Sequence, residues 1–252
     1  MYLSERLIVI SGVSEFGATL IQIQYNKSKK SVYGISCDFL ILSVVAGLAS
    51  IVSTLYYQMS PRIWLEYSGR YPRYPTVQIS SGIFLLEVLM WVAYCGVLWQ
   101  IFVTYRQTMH IFQGFSGLCR SILVAMGILL IVVEQELNFL LDLIDSIWFV
   151  SKFAAAVRFV PQCIINWSGD CLVGYGDQWL SFQWLAWTLL VVGKYRMPWE
   201  ILWHDVPINV PPWPYIICSV LWLSVLTVQR FMYKGNVATL PFRNKGCDID
   251  IV

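Results

Sequence analysis

The chain has 252 residues, 58% of them hydrophobic and 13% charged, with a mean hydropathy of +0.62 and a net charge of +2. Soluble domains carry about a quarter charged residues, so a water-soluble fold of this size has nowhere to hide this much apolar surface. A bilayer accepts it, because about twenty apolar residues wound as a helix cross the hydrocarbon and satisfy their own backbone hydrogen bonds. The small charge, with no basic run beyond Lys27, Lys29 and Lys30, argues against nucleic acid as a partner and leaves membrane lipid.

The first apolar stretch, 7–24, follows Glu5 and Arg6 and has no small-residue cleavage site behind it, so it reads as a span rather than a removable leader. Further stretches at 38–57, 80–104, 119–137, 143–161, 178–193 and 214–233 predict seven helices. The fourth, bounded by Arg120, Glu134 and Glu136, and the sixth, which is short and holds Gln178 and Gln183, are the weakest, so six or eight helices stay open. Between the last two spans, residues 197–217 are rich in proline and tryptophan, which predicts an interfacial lid resting on the bilayer, with gating of a solute as the alternative. The polar tail from Tyr233 lacks dilysine, KDEL-like and tyrosine sorting signals.

Charge asymmetry between loops predicts a lumenal N-terminus and a cytosolic C-terminus. That orientation puts Lys27, Lys29, Lys30, Arg106, Arg120, Arg230, Lys234, Arg243 and Lys245 in the cytosol, against Arg6, Arg62, Arg70, Arg73, Lys194 and Arg196 opposite. It also places the sequons at Asn26 and Asn166 on the cytosolic side, so neither is expected to carry glycan. The seven scattered cysteines and the distant pair His110 and His204 form no metal-ligand or disulfide pattern, so the cysteines are read as packing residues and no metal or other cofactor is expected. No Ser/His/Asp or Cys/His set points to an enzyme.

An internal repeat is visible. Laying 22–34 over 162–174 matches Gln22 with Gln162, Asn26 with Asn166 and Gly34 with Gly174 at one offset, each copy where a span gives way to a polar turn. Three helices, a connector and three helices is the plan this predicts, and transporters commonly bind solute at such a repeat interface. Gln and Asn four apart share one helix face, where they would line a path for a zwitterionic or hydroxylated solute or bond between helices. Pro161 removes a backbone donor and predicts a kink that acts as a hinge.

A charge at mid-bilayer costs about 2.5–3.5 kcal/mol and needs a partner. Glu87 stands in an apolar stretch as a candidate proton carrier or structural ion pair, with Lys152 as its natural counter-charge or as an anchor for a substrate carboxylate. Arg158 is expected to snorkel toward headgroups. Asp38 opens the second span as a second candidate for proton coupling or as a simple dipole partner. Asp142 and Asp145 are expected to face water and cap the fifth span.

Phe159-Val160-Pro161-Gln162 followed by Asn166, together with Gln22, Asn26 and the stretch Lys30-Ser31-Val32-Tyr33-Gly34-Ile35-Ser36-Cys37-Asp38-Phe39, resembles the PQ-loop superfamily and, within it, the cystinosin-type transporters of lysosomes and vacuoles. The resemblance implies an all-α integral membrane protein of about seven transmembrane helices, SWEET-like, built as two three-helix bundles (3+1+3). The corresponding divisions are residues 1–105, a linker and inverting helix 106–139, a second repeat 140–234 and a cytosolic tail 235–252. It implies proton-coupled export of cystine or another amino acid from an acidic organelle. Gln22, Asn26, Gln162, Asn166 and Lys152 would bind substrate, Glu87 and Asp38 would couple protons, and Pro161 would be the hinge. Two departures stand out: Ile21 occupies the first copy's proline position, and 178–193 and 214–233 lack the family's aspartates. A non-transporting receptor or scaffold on the same plan, as in KDEL-type receptors, is the alternative.

Overall fold

The computed structural model describes residues 2–136, 139–172, 174–197 and 206–236. Among them run nine α-helices: α1 (Tyr2–Lys29), α2 (Cys37–Met59), α3 (Pro61–Arg70), α4 (Ser81–Trp99), α5 (Gly117–Glu136), α6 (Leu140–Val157), α7 (Val160–Gly169), α8 (Asp177–Tyr195) and α9 (Trp213–Met232). Five stretches, Leu3–Lys29, Cys37–Met59, Ser81–Thr104, Gly117–Glu136 and Trp213–Met232, are long and apolar enough to cross a bilayer, so this is a multi-pass membrane protein. The α6 and α8 helices fall below that apolarity because α6 carries Asp142, Asp145 and Lys152, and α8 carries Gln178 and Gln183 between Asp177 and Lys194.

Local chemistry sets the ends. The Ser36 hydroxyl accepts the Phe39 N–H at 3.2 Å and starts α2. The α1 helix runs 28 residues without interruption and stops at Lys30, whose φ of 50° is left-handed; α7 stops in the same way at Asp170, φ 46°. The fifth predicted span is broken: α6 ends at Val157, and α7 restarts with Pro161 in its first turn, where a missing N–H leaves no intrahelical partner unmet. The α4 helix continues as a π-helical turn, Gln100–Thr104.

The α4 helix packs against both α1 and α2, and α9 against α6, α7 and α8. The two sets meet most extensively through α1 on α8 and α2 on α6. Gly193 lets α8 approach α1 closely, since a Cβ there would stand 3.1 Å from the Ser4 carbonyl oxygen and 3.0 Å from Ile8. The α5 helix leans on α6 and fully buries only Cys119 and Met126.

The α3 helix was not among the predicted elements, although Ser60-Pro61 is a helix-start signal. It lays Ile63 and Tyr67 on the bundle and clasps the start of α6: Arg70 forks onto Asp142 at 2.6 and 3.1 Å, and Glu66 accepts the Leu141 N–H at 2.7 Å. Burial would raise the Glu66 carboxyl, but the Leu141 amide and Arg62 outweigh it and hold the group below its ordinary value. The cap of α6 therefore comes from Glu66 and not, as expected, from Asp142 or Asp145; Asp145 is exposed, as expected, and accepts from the Tyr57 hydroxyl. Of the predicted lid, 198–205 lies outside the described residues, as do His204, Cys247 and the tail beyond 236.

Candidate functional site

Between the two sets of helices lies a cavity of about 140 Å³, with α1, α2, α4, α6, α8 and α9 all contributing to its wall. Four charged side chains line it, Glu15, Glu87, Lys152 and Arg158, two of each sign. Lys152 Nζ sits 3.6 Å from Glu87 Oε1, as their sequence positions led us to expect, and Ser50 bridges them by donating to Glu87 at 2.7 Å and accepting from Lys152 at 3.2 Å. The other Glu87 oxygen is buried without a partner.

The second pair was not foreseen. Arg158 falls at the break between α6 and α7, only 5% exposed, and its guanidinium binds Glu15 of α1. The same group donates to the Tyr94 hydroxyl at 3.1 Å and lies 5.0 Å from the centre of the Phe159 ring, a cation–π distance. The expectation that Arg158 snorkels to headgroups is corrected: the break turns its side chain inward, and Glu15 supplies the counter-charge that makes burial tolerable. Glu15 lies in an apolar stretch like that around Glu87, and the rule that singled out Glu87 applies to it equally. Tyr94 and Tyr215, both lining the cavity, carried no such signal in the sequence.

The repeat amides Gln22, Asn26, Gln162 and Asn166, expected to line the solute path, are not in the wall of this cavity. They form a buried belt at one end of the bundle, and the belt is written twice. Gln22 Nε2 donates to Asn26 at 2.7 Å and to the Gly174 carbonyl at 2.8 Å. Gln162 Nε2 donates to Asn166 at 2.8 Å and to the Gly34 carbonyl at 2.8 Å. Asn26 then donates to Gln100, which donates to the Ile23 carbonyl; Asn166 donates to Gln229, which donates to the Cys163 carbonyl. Each copy thus grips the glycine turn of the other. The sequon asparagines Asn26 and Asn166 are 0% and 2% exposed within this belt, so a glycan on either would require dismantling it.

The opposite end is closed by 206–212. Asn209 Oδ1 accepts the Ser80 N–H at 3.1 Å and its Nδ2 donates to the Ser80 carbonyl at 2.8 Å, an amide clip that is 1% exposed and lines the cavity. The described part of the predicted lid therefore plugs the bundle mouth instead of resting on the bilayer. Asp38 is buried away from the cavity, where it accepts the Ser116 N–H at 3.0 Å and ties the start of α2 to the approach to α5. Pro161 lies at the break beside Arg158, as expected of a kink.

No family model matches the chain. It is similar to the uncharacterized protein YCL002C of Saccharomyces cerevisiae, 28% identical over 259 aligned positions that take in 93% of this chain and 98% of the yeast protein.

Proposed function

We propose that the chain is a secondary transporter of a small polar solute, a PQ-loop protein of the cystinosin type with seven spans arranged 3+1+3. In this reading α1, α2 and α4 form the first repeat, α6–α7, α8 and α9 the second, and α5 the connector. The observation that carries it is an ion-paired cavity between the two sets of helices, with two acidic and two basic side chains in its wall, the amide belt toward one end of the bundle and the Asn209 clip at the other. A solute bearing both charges exchanges partners with such pairs without leaving a bare charge in the membrane.

Glu87 is the proton-coupling group of this reading because it lines the cavity with one carboxylate oxygen open, whereas Asp38 is occupied at the end of α2. The loop charges support a lumenal N-terminus, and the resemblance to cystinosin-type transporters supports an acidic organelle such as a lysosome or vacuole, with cystine or another amino acid exported to the cytosol.

Uptake of radiolabelled cystine and of a panel of amino acids into vesicles holding the purified chain tests this, with and without an imposed pH gradient. Gradient-stimulated uptake is expected in the native chain, and Glu87→Gln is expected to abolish the stimulation by the gradient. No uptake of any amino acid by folded protein sinks the transporter reading in favour of a receptor or scaffold.

A further inference from the structure

Beneath the cavity, toward the amide belt, is a second and much smaller chamber of about 10 Å³, lined by residues that include Gln22, Tyr94, Tyr175 and Trp179. That is about the space one water molecule needs. Four helices line both spaces in succession. On α1 the cavity holds Ser11 and Glu15 and the chamber Thr19 and Gln22; on α2 the cavity holds Ser43 and the chamber Phe39. Tyr94 of α4 belongs to both walls, and on α8 Leu190 lines the cavity and Trp179 the chamber. Cavity and chamber therefore follow one another along a single axis between the two halves, with Tyr94 as the partition, held by Arg158 at 3.1 Å and donating to Glu15 at 3.3 Å.

Buried polar atoms without partners gather along this axis. Gln22 Oε1 and the Tyr175 hydroxyl, both in chamber-lining residues, have none. The pseudo-symmetry of the belt makes the first of these informative. In the second copy the same atom, Gln162 Oε1, takes the Ser36 N–H at 2.7 Å, whereas the position matching Ser36 is Gly176 and it gives Gln22 no such bond. On α8, Gln183 is 0% exposed and neither its oxygen nor its nitrogen is partnered. It lines neither space itself, but it sits four residues from Trp179 and seven from Leu190, on the helix face that lies between the two. Native folds rarely leave a whole side-chain amide unpaired, because each orphaned atom forfeits the hydrogen bonds it had in water.

We propose that the chamber is a second binding station on the route between cavity and belt, formed by Gln22 and Tyr175, with Gln183 on the stretch of α8 between chamber and cavity. It receives the hydrogen-bonding groups of the solute when Tyr94 swings aside. The inference rests on the transporter reading, and it assigns to these atoms a partner that arrives only in transit.

The test is Gln183→Leu and Tyr175→Phe in the full-length chain, each measured for thermal unfolding and for uptake of the amino acid that the native chain takes up best. Removing an atom that has no partner in the folded chain is expected to leave the melting temperature unchanged or raise it by about 2–4 °C, while uptake falls about tenfold or more. A lowered melting temperature in both variants would mean that the atoms are satisfied in the fold, and uptake at the native rate in both would mean that no solute passes them; either result overturns the station while leaving the transporter standing. A native chain that takes up no amino acid removes the transporter reading and the station with it.

Discussion

Arg158→Leu is expected to cost about 3 kcal/mol of stability, because it leaves the partly buried Glu15 carboxylate with its strongest partner gone. The geometry explains the size of the effect. The guanidinium touches Glu15 of α1, Tyr94 of α4 and the ring of Phe159, so one side chain joins the α6–α7 break to two helices of the other half. The carboxylate left behind would keep only the Tyr94 hydroxyl at 3.3 Å among these contacts. Adding Glu15→Gln should restore most of the melting temperature, since a neutral amide tolerates the site where a bare charge does not. Uptake should stay lost in the double variant if the pair handles solute, and a double variant that melts like the native chain and transports normally would reduce the pair to a structural tie. Detergent-solubilised melting curves of the two single variants and the double variant read the first part, and vesicle uptake the second.

Gly174→Ala is expected to be comparably damaging, by about 3 kcal/mol or more. A Cβ at 174 would stand 2.5 Å from the Gly34 carbonyl carbon, 2.6 Å from its oxygen and 2.8 Å from the Ile35 nitrogen. All three are backbone atoms, so no side chain can rotate out of the way. Gly34 itself has a φ of 83°, a conformation that glycine adopts without penalty, so the turn facing the methyl group is already fixed. Separating the two turns would pull the Gly174 carbonyl from Gln22 and the Gly34 carbonyl from Gln162, both at 2.8 Å. Gly69→Ala, where a Cβ meets nothing within 4 Å, is the control and should melt at or slightly above the native temperature. Equal melting of Gly174→Ala and the native chain would mean that the turns are not locked together.

Much of this architecture could be read from the residues, for identifiable reasons. Apolar runs of span length mark helices because hydrocarbon leaves the backbone no other way to pair its polar groups, and the five apolar spans lie where those runs lie. The ends of the fourth and the break in the fifth needed more than hydropathy, since proline at 161 signals the restart of α7 but not the inward turn of Arg158. The pairing of Glu87 with Lys152 followed from the cost of an isolated charge. The same cost applied to Glu15, whose partner is 143 positions away and belongs to a residue that by position alone looked superficial. For the amides, spacing correctly put Gln22 with Asn26 and Gln162 with Asn166 on shared helix faces. It could not say that those faces meet each other instead of the cavity, because that depends on how the two halves dock, and the partners Gln100 and Gln229 lie outside the repeat windows.

The reciprocal grip of the two glycine turns also imposes a parity on the chain. For Gln162 to reach Gly34 while Gln22 reaches Gly174, both copies must present their amides on the same side of the molecule. From the end of α1 the chain travels along α2, α4, α5 and α6–α7 before Gln162, four traverses that bring it back to where it started. Remove α5 and the count becomes three: the second amide set would emerge at the far side, and none of the cross-bonds could close. A helix that buries only two side chains fully is thus required for its direction of travel, which leaves its sequence free to vary wherever it faces lipid while its presence is not negotiable.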